Sequence, residues 1–251
     1  MLQDRNTPAL TARSVVASLV LGTRRGRLPG SALVRAATLF GFAEGTTRVA
    51  LSRMVAAGEL LSSDGEYELD GPLLARHGRQ EEGRRPRLRR WDGSWRVAVV
   101  GSSGARRPAA ERASVRRRLA DLRLAEWREG VWIRPDNFRR DAYPPFDGCT
   151  WLESAQFVTD DDDVPELVDT LWNPARWAAA ANELLTAMTK TTAADDIAET
   201  FRIAAAVVRH LRDDPLLPDA LLPADWPGQA LRDAYDDYEA AFSAALGSIL
   251  G

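Results

Sequence analysis

Cysteine is nearly absent from this 251-residue chain: Cys149 stands alone. An intrachain disulfide and a thiolate metal cluster are therefore excluded. Two histidines, His77 and His210, are too few for an ordinary zinc enzyme. Long apolar runs are missing as well. The stretch from Val15 to Leu21 is broken by Ser18 and is too short to span a bilayer. The N-terminus lacks the charged-then-apolar pattern of a secretory signal, so a cytoplasmic protein is expected. No Gly-x-x-x-x-Gly-Lys-Ser/Thr phosphate cradle occurs, since the 101–104 glycines lack the lysine. Lysine itself is rare: Lys190 is the sole lysine among 33 basic residues. Planar arginine forks suit phosphate, although a GC-rich coding bias would produce the same excess.

The composition, 45% hydrophobic and 27% charged, is that of a globular chain. Its length suits two or three small domains. A net charge of -3 hides an asymmetry. Residues 1–58 carry eight arginines against two acids, whereas residues 141–251 carry six basic residues against 21 acids. A basic front and an acidic rear place a polyanion partner at the front.

At that front, Arg13 to Gly22 reads as a helix with Val15, Val16, Leu19 and Val20 on one face. A basic loop through Arg24, Arg25 and Arg27 follows, and Ser31 is placed as the N-cap of a second helix running to Leu39. After Phe40-Gly41-Phe42, a third helix runs from Glu44 to Ala57 and stops at Gly58. Its period puts Thr47, Ala50, Leu51 and Met54 inward and leaves Thr46, Arg48, Val49, Ser52 and Arg53 outside. Such hydroxyls and guanidiniums reach phosphates and base edges. Two strand-like runs joined at Asp64-Gly65 then form a hairpin, the wing. This is the winged helix-turn-helix pattern; the competing reading is a plain three-helix bundle with solvating arginines.

Further on, a short helix from Leu73 to Gln80 leads into a linker with Arg84, Arg85, Arg87, Arg89 and Arg90. Strands are expected at Trp95–Val100, Gly130–Ile133 and Ala155–Val158, with a basic helix from Ala109 to Leu122 between the first two. This order suggests a ferredoxin-like α+β domain. Helices follow at Leu171–Met188, Asp195–Leu211 and Gln229–Leu250, the last two separated by the proline-rich stretch from Asp214 to Gly228. The expected architecture is multidomain α+β: a winged helix-turn-helix over 1–71, a basic helical linker over 72–90, a ferredoxin-like middle over 91–170 and an all-α domain over 171–251.

Four stretches together resemble the PaaX family of bacterial regulators. They are Arg48-Val49-Ala50-Leu51-Ser52-Arg53-Met54 with Gly58-Glu59-Leu60; Trp91-Asp92-Gly93 with Trp95; Arg118-Leu119 through Gly130-Val131-Trp132-Ile133-Arg134-Pro135; and Asp214-Pro215-Leu216-Leu217-Pro218 with Leu221-Leu222-Pro223-Ala224-Asp225-Trp226-Pro227-Gly228. They occur in the family's order. The resemblance implies the same three domains and a homodimer on a two-fold-symmetric operator of double-stranded DNA. It further implies repression of a catabolic or secondary-metabolic operon, relieved by a small effector: in the phenylacetate branch, an aryl-acyl coenzyme A thioester. The chain departs from the family at Leu124-Ala125-Glu126-Trp127, where relatives carry a glycine-aromatic pair, which puts the local strand in question.

The effector calls for an apolar pocket with a few cations. Trp132, Arg134, Trp151, Trp172 and Trp177 are the candidates, with interdomain core as the competing role for each tryptophan. No catalytic residue, metal site or cofactor is assigned. His210 with Asp213 and Asp214 has metal-like spacing but reads as a charged helix end. A metal-dependent nuclease acting from the middle domain is the alternative function. It lacks an acid where its first strand ends, at Val99-Val100-Gly101-Ser102, and the run Asp160 to Asp163 is the one cation candidate. A protein-interaction module using the acidic rear is the third reading.

Overall fold

The computed structural model describes residues 10–21, 26–101, 109–139, 143, 145–156, 163–191 and 197–250, apart from the side chains of 246 and 248–250. The chain forms two compact units. The first comprises residues 1–85, 180–213 and 227–251; the second comprises 86–179 and 214–226. This grouping cuts across the segments read from the sequence, because the helices after residue 171 are shared between the units.

The first unit begins with α1 (Ala12–Leu21), β1 (Arg27–Pro29), α2 (Gly30–Thr38) and α3 (Glu44–Ala56). The strands β2 (Leu60–Ser63) and β3 (Glu66–Leu69) follow, and β3 is the middle strand of an antiparallel β1-β3-β2 sheet. Apolar spacing along α1 buries Val15, Val16, Leu19 and Val20 completely. Full burial of each such side chain stabilises by about 1.5–3 kcal/mol. Asp64 and Gly65 carry φ of 53° and 77°, positive at both central positions as a type I′ hairpin requires.

Two local expectations are corrected. The 27–29 segment is not loop but strand, pairing Arg27 with Glu68 and Pro29 with Glu66. Its three residues are too short to show a period. Ser31 is not an N-cap: α2 already starts at Gly30, Pro29 occupies the cap without a side-chain hydrogen bond, and the Gly30 N–H donates to the Gly65 carbonyl at 2.9 Å. The hairpin turn thus satisfies one of the N–H groups that a helix start leaves without an intrahelical partner.

The unit continues through α4 (Gly71–Arg84), with Pro72 in its first turn where a missing N–H costs nothing. It also takes in the rear of α7 (Pro174–Lys190), α8 (Ile197–Arg212) and α9 (Gly228–Leu250). α4 runs four residues past its expected end, so Arg84 is not linker. Its buried guanidinium bonds Glu81, Asp236 and Glu239 at 2.7–2.9 Å and lies 4.4 Å from the Tyr235 ring centroid. Arg232 Nε donates to the Gly83 carbonyl beside it.

In the second unit, β4 (Trp95–Val100), β5 (Ala125–Arg128), β6 (Val131–Pro135) and β7 (Cys149–Ala155) form an antiparallel sheet ordered β5-β6-β4-β7. The helix α5 (Ala109–Asp121) links β4 to β5. This is the strand order of a β-α-β-β-α-β domain, but no helix lies between β6 and β7 among the described residues. The departure at 124–127 does not abolish its strand, since β5 pairs with β6. The last strand was expected at Ala155–Val158 and instead ends at Ala155; residues 157 and 158 lie outside the described set. A bulge opposite Trp95–Val97 breaks the alternation that would have marked it.

A helix before 171 also escaped the sequence reading. α6 (Asp163–Trp172) is separate from α7 because Asn173, preceding Pro174, takes a φ of 45°. The helical region is disfavoured for a residue before proline, and the Asn173 Oδ1 accepts the Arg176 N–H at 3.0 Å to cap α7.

Candidate nucleic-acid interface

α3 divides as its period demands. Thr47, Leu51 and Met54 are buried, Ala50 is half-buried, and Thr46, Arg48, Val49, Ser52 and Arg53 are exposed. The inner three anchor the helix on α1 and α2, so the outer five project together from a rigid base. Arg48 is 67% exposed and meets Glu44 only at 3.7 Å, a contact that solvent makes weak. Arg53 has no ion pair among the described residues. Both guanidiniums are therefore available to an anionic partner.

The flanking candidates fare differently. Arg24 and Arg25 lie outside the described residues. Ser31 is exposed on the first turn of α2. Arg27 is turned onto the hairpin, 3.1 Å from Glu68 and 3.5 Å from Glu66. The hairpin from Leu60 to Leu69 contains Asp64, Glu66 and Glu68 and no basic residue. Its charge opposes a phosphate backbone, so among the described residues the exposed cations of this region lie on α2 and α3. Arg35, exposed in the last turn of α2, is a further cation that the local pattern did not single out.

The effector candidates are not gathered into one site. Trp132 and Trp151 sit in a cluster with Ala98, Leu119 and Tyr143. Trp172 belongs to a different cluster, built around Trp95, Ile133 and Leu217. Trp177 stacks on Trp226 with centroids 4.5 Å apart. Arg134 is wholly buried, donating to the Leu122, Pro135 and Leu216 carbonyls and to Asn137 Oδ1. Asn137 donates to the same Leu216 oxygen at 2.9 Å, so this arginine fastens the proline-rich loop. Burial lowers its pKa, the foremost cause of the shift.

The carboxylates considered for metal chemistry also have structural tasks. Asp213 accepts from Arg212, and Asp214 caps the Leu216 N–H at 2.8 Å. β4 ends at Val100 opposite Cys149, without an acid. In the same unit Arg96, almost fully buried, holds Asp136 at 2.9 Å and Glu153 at 2.8 Å, and Arg89 of the presumed linker shares Asp136 at 2.9 Å. Of the acidic run, residues 160–162 lie outside the described set. No described helix is long and apolar enough to cross a membrane.

Family models match along the chain: a PaaX-like protein over residues 11–71, a PaaX protein central Cas2-like domain over 88–166 and a PaaX-like protein C-terminal domain over 171–250. No curated protein matches. Among solved structures, the chain is similar to the uncharacterized protein Rv0674 from Mycobacterium tuberculosis, at 40% identity over 96% of this chain and 99% of that one, with a TM-score of 0.79. With all three matches in order, on a mixed helix-and-sheet chain, this protein belongs to the PaaX family of transcriptional regulators.

Proposed function

We propose that the protein is a transcriptional repressor that binds operator DNA through α3, released by a small-molecule effector. In this reading α1–α3 with β1–β3 make a winged helix-turn-helix, and α3 occupies the major groove. One observation carries it: the buried Thr47-Leu51-Met54 stripe leaves Thr46, Arg48, Val49, Ser52 and Arg53 as one exposed face. Arg48 and Arg53 grip guanine edges or phosphates, Thr46 and Ser52 bond either, and Val49 offers an apolar contact to a thymine methyl. A homodimer would present two such helices to a two-fold-symmetric site. The operon it represses is catabolic or secondary-metabolic, and the effector acts on the repressor. No enzymatic step is part of this reading.

The test is fluorescence anisotropy on labelled duplexes tiling the region upstream of the protein's own gene and its neighbours. Selective binding should weaken steeply with salt, because neutralised phosphates release counterions. Arg48→Ala and Arg53→Ala should each cost about 1–3 kcal/mol of operator binding if they read bases, with melting unchanged. Undiminished affinity in both variants would falsify the placement of α3.

A further inference from the structure

Inside the first unit, α1, α4, α8 and α9 surround a cavity of about 330 Å³. Its wall is mostly apolar: Ala17 and Leu21 from α1, Leu73 from α4, Ala204 and Val208 from α8, and Phe242 from α9. Four arginines also line it. Two are committed elsewhere: Arg13 makes a two-pronged pair with Glu59 at 2.6 and 2.8 Å, and Arg202 pairs with Glu199. Glu239, the acid on the wall, is turned to Arg84 at 2.7 and 2.9 Å. Arg76 and Arg209 remain, with no carboxylate partner among the described residues.

Two like charges beside an apolar void, one half-buried, are an unfavourable arrangement for the empty protein. Arg209 shows the cost: burial, then the positive charges of Arg76 and Arg212, lower its pKa. An anion between the guanidiniums would remove that repulsion and gain charge-assisted hydrogen bonds. Tyr235 and Tyr238 add phenols to the same wall.

We propose that this cavity binds a small organic acid, its carboxylate between Arg76 and Arg209 and its hydrocarbon body among the α1, α8 and α9 side chains. Ligand pockets for drug-sized molecules start at about 300 Å³, so the site takes a free monocarboxylate; the nucleotide of a thioester would have to lie outside it. Its position offers a route to the DNA-reading helix. Phe201 and Phe242, both on the cavity wall, meet Phe40 with ring centroids 5.2 and 6.3 Å away. Phe40 heads the Phe40-Gly41-Phe42 turn that joins α2 to α3. A ligand that shifts either phenylalanine moves the support of that turn, which is how occupancy would reach operator affinity. This coupling rests on the repressor reading; the binding site does not.

Calorimetry on the full chain, without DNA, tests the site with benzoate, 3-phenylpropanoate and octanoate, each beside its uncharged amide. At least one acid should bind one-to-one and saturably, with its amide about tenfold weaker. Arg76→Gln and Arg209→Gln should each weaken the acid about tenfold and leave the amide unchanged. Ala205→Phe, which fills the void from α8, should abolish binding while the protein still melts cooperatively. Failure of all three acids at millimolar concentration, or equal binding of acid and amide, overturns the proposal. Operator binding by the unliganded protein is measured in parallel. A ligand that binds a protein with no DNA affinity sinks the repressor reading alone, and one that binds without altering operator affinity sinks the coupling alone.

Discussion

Gly83 of α4 rests directly on the Leu211 carbonyl of α8: a Cβ added to the glycine would lie 2.5 Å from that oxygen and 2.8 Å from its carbon. Both atoms are backbone within helices and cannot swing aside. Gly83→Ala should force the helices apart and destabilise the first unit by about 1–3 kcal/mol, the usual cost of overpacking. Thermal melting against Gly78→Ala on the same helix, where a Cβ meets open space, is the check. Equal melting of the two variants would show that the contact yields.

Arg84, next in the chain, gathers Glu81, Asp236 and Glu239 onto one guanidinium. Burial opposes its charge, and the hydrogen bonds of Glu239 and Asp236 more than offset this, holding its pKa above the usual value. Arg84→Met should leave three carboxylates in mutual repulsion. Because those acids are a third to a half exposed, the loss should be about 2 kcal/mol, short of the figure for a fully buried pair. Added salt should recover part of the lost stability; a salt-independent deficit would assign the effect to packing.

Alkaline pH should loosen the same region. Burial raises the phenol of Tyr235 from 10.0 to about 12 and shifts Tyr238 upward too. A raised folded-state pKa means that this stabilisation is complete below pH 10 and lost as pH climbs through about 12. The denaturant midpoint should therefore fall over that window, and Tyr235→Phe should flatten the fall. A variant that tracks the wild type throughout would assign the loss to other groups.

Much of the α1–α3 region was legible because helix period is a local signal: the inward Thr47, Leu51 and Met54 and the outward Arg48 and Arg53 follow from spacing alone. What stayed hidden depends on distant partners. β1 exists only because β3 pairs with it, and the Gly30 N–H is satisfied by a hairpin turn 35 residues further on. Arg84 looked like linker because two of its three acids, Asp236 and Glu239, lie more than 150 residues away. Arg76 and Arg209 are likewise neighbours only through the packing of α4 on α8. The tryptophans were visible as residue types, but nothing local assigned them to separate clusters.

The hairpin's charge supplies a prediction of opposite sign to the α3 substitutions. Glu66→Gln and Glu68→Gln each remove an anionic group beside the proposed duplex and take one acid partner from Arg27. Each should tighten DNA binding about threefold at low ionic strength, with the gain fading as salt screens it. Unchanged affinity at low salt would place the hairpin away from phosphates.

The interleaved order of the first unit has a bearing on how the protein is made. Phe40 leans on Phe201 and Phe242, so on the ribosome the N-terminal helices emerge long before the rings that cover them. A fragment ending at Leu69 would hold α1–α3 and the hairpin yet leave the Phe40 ring bare, inviting self-association. Fragments cut at a single point cannot recover this unit, whereas co-expressing the two halves of the chain has a physical reason to succeed.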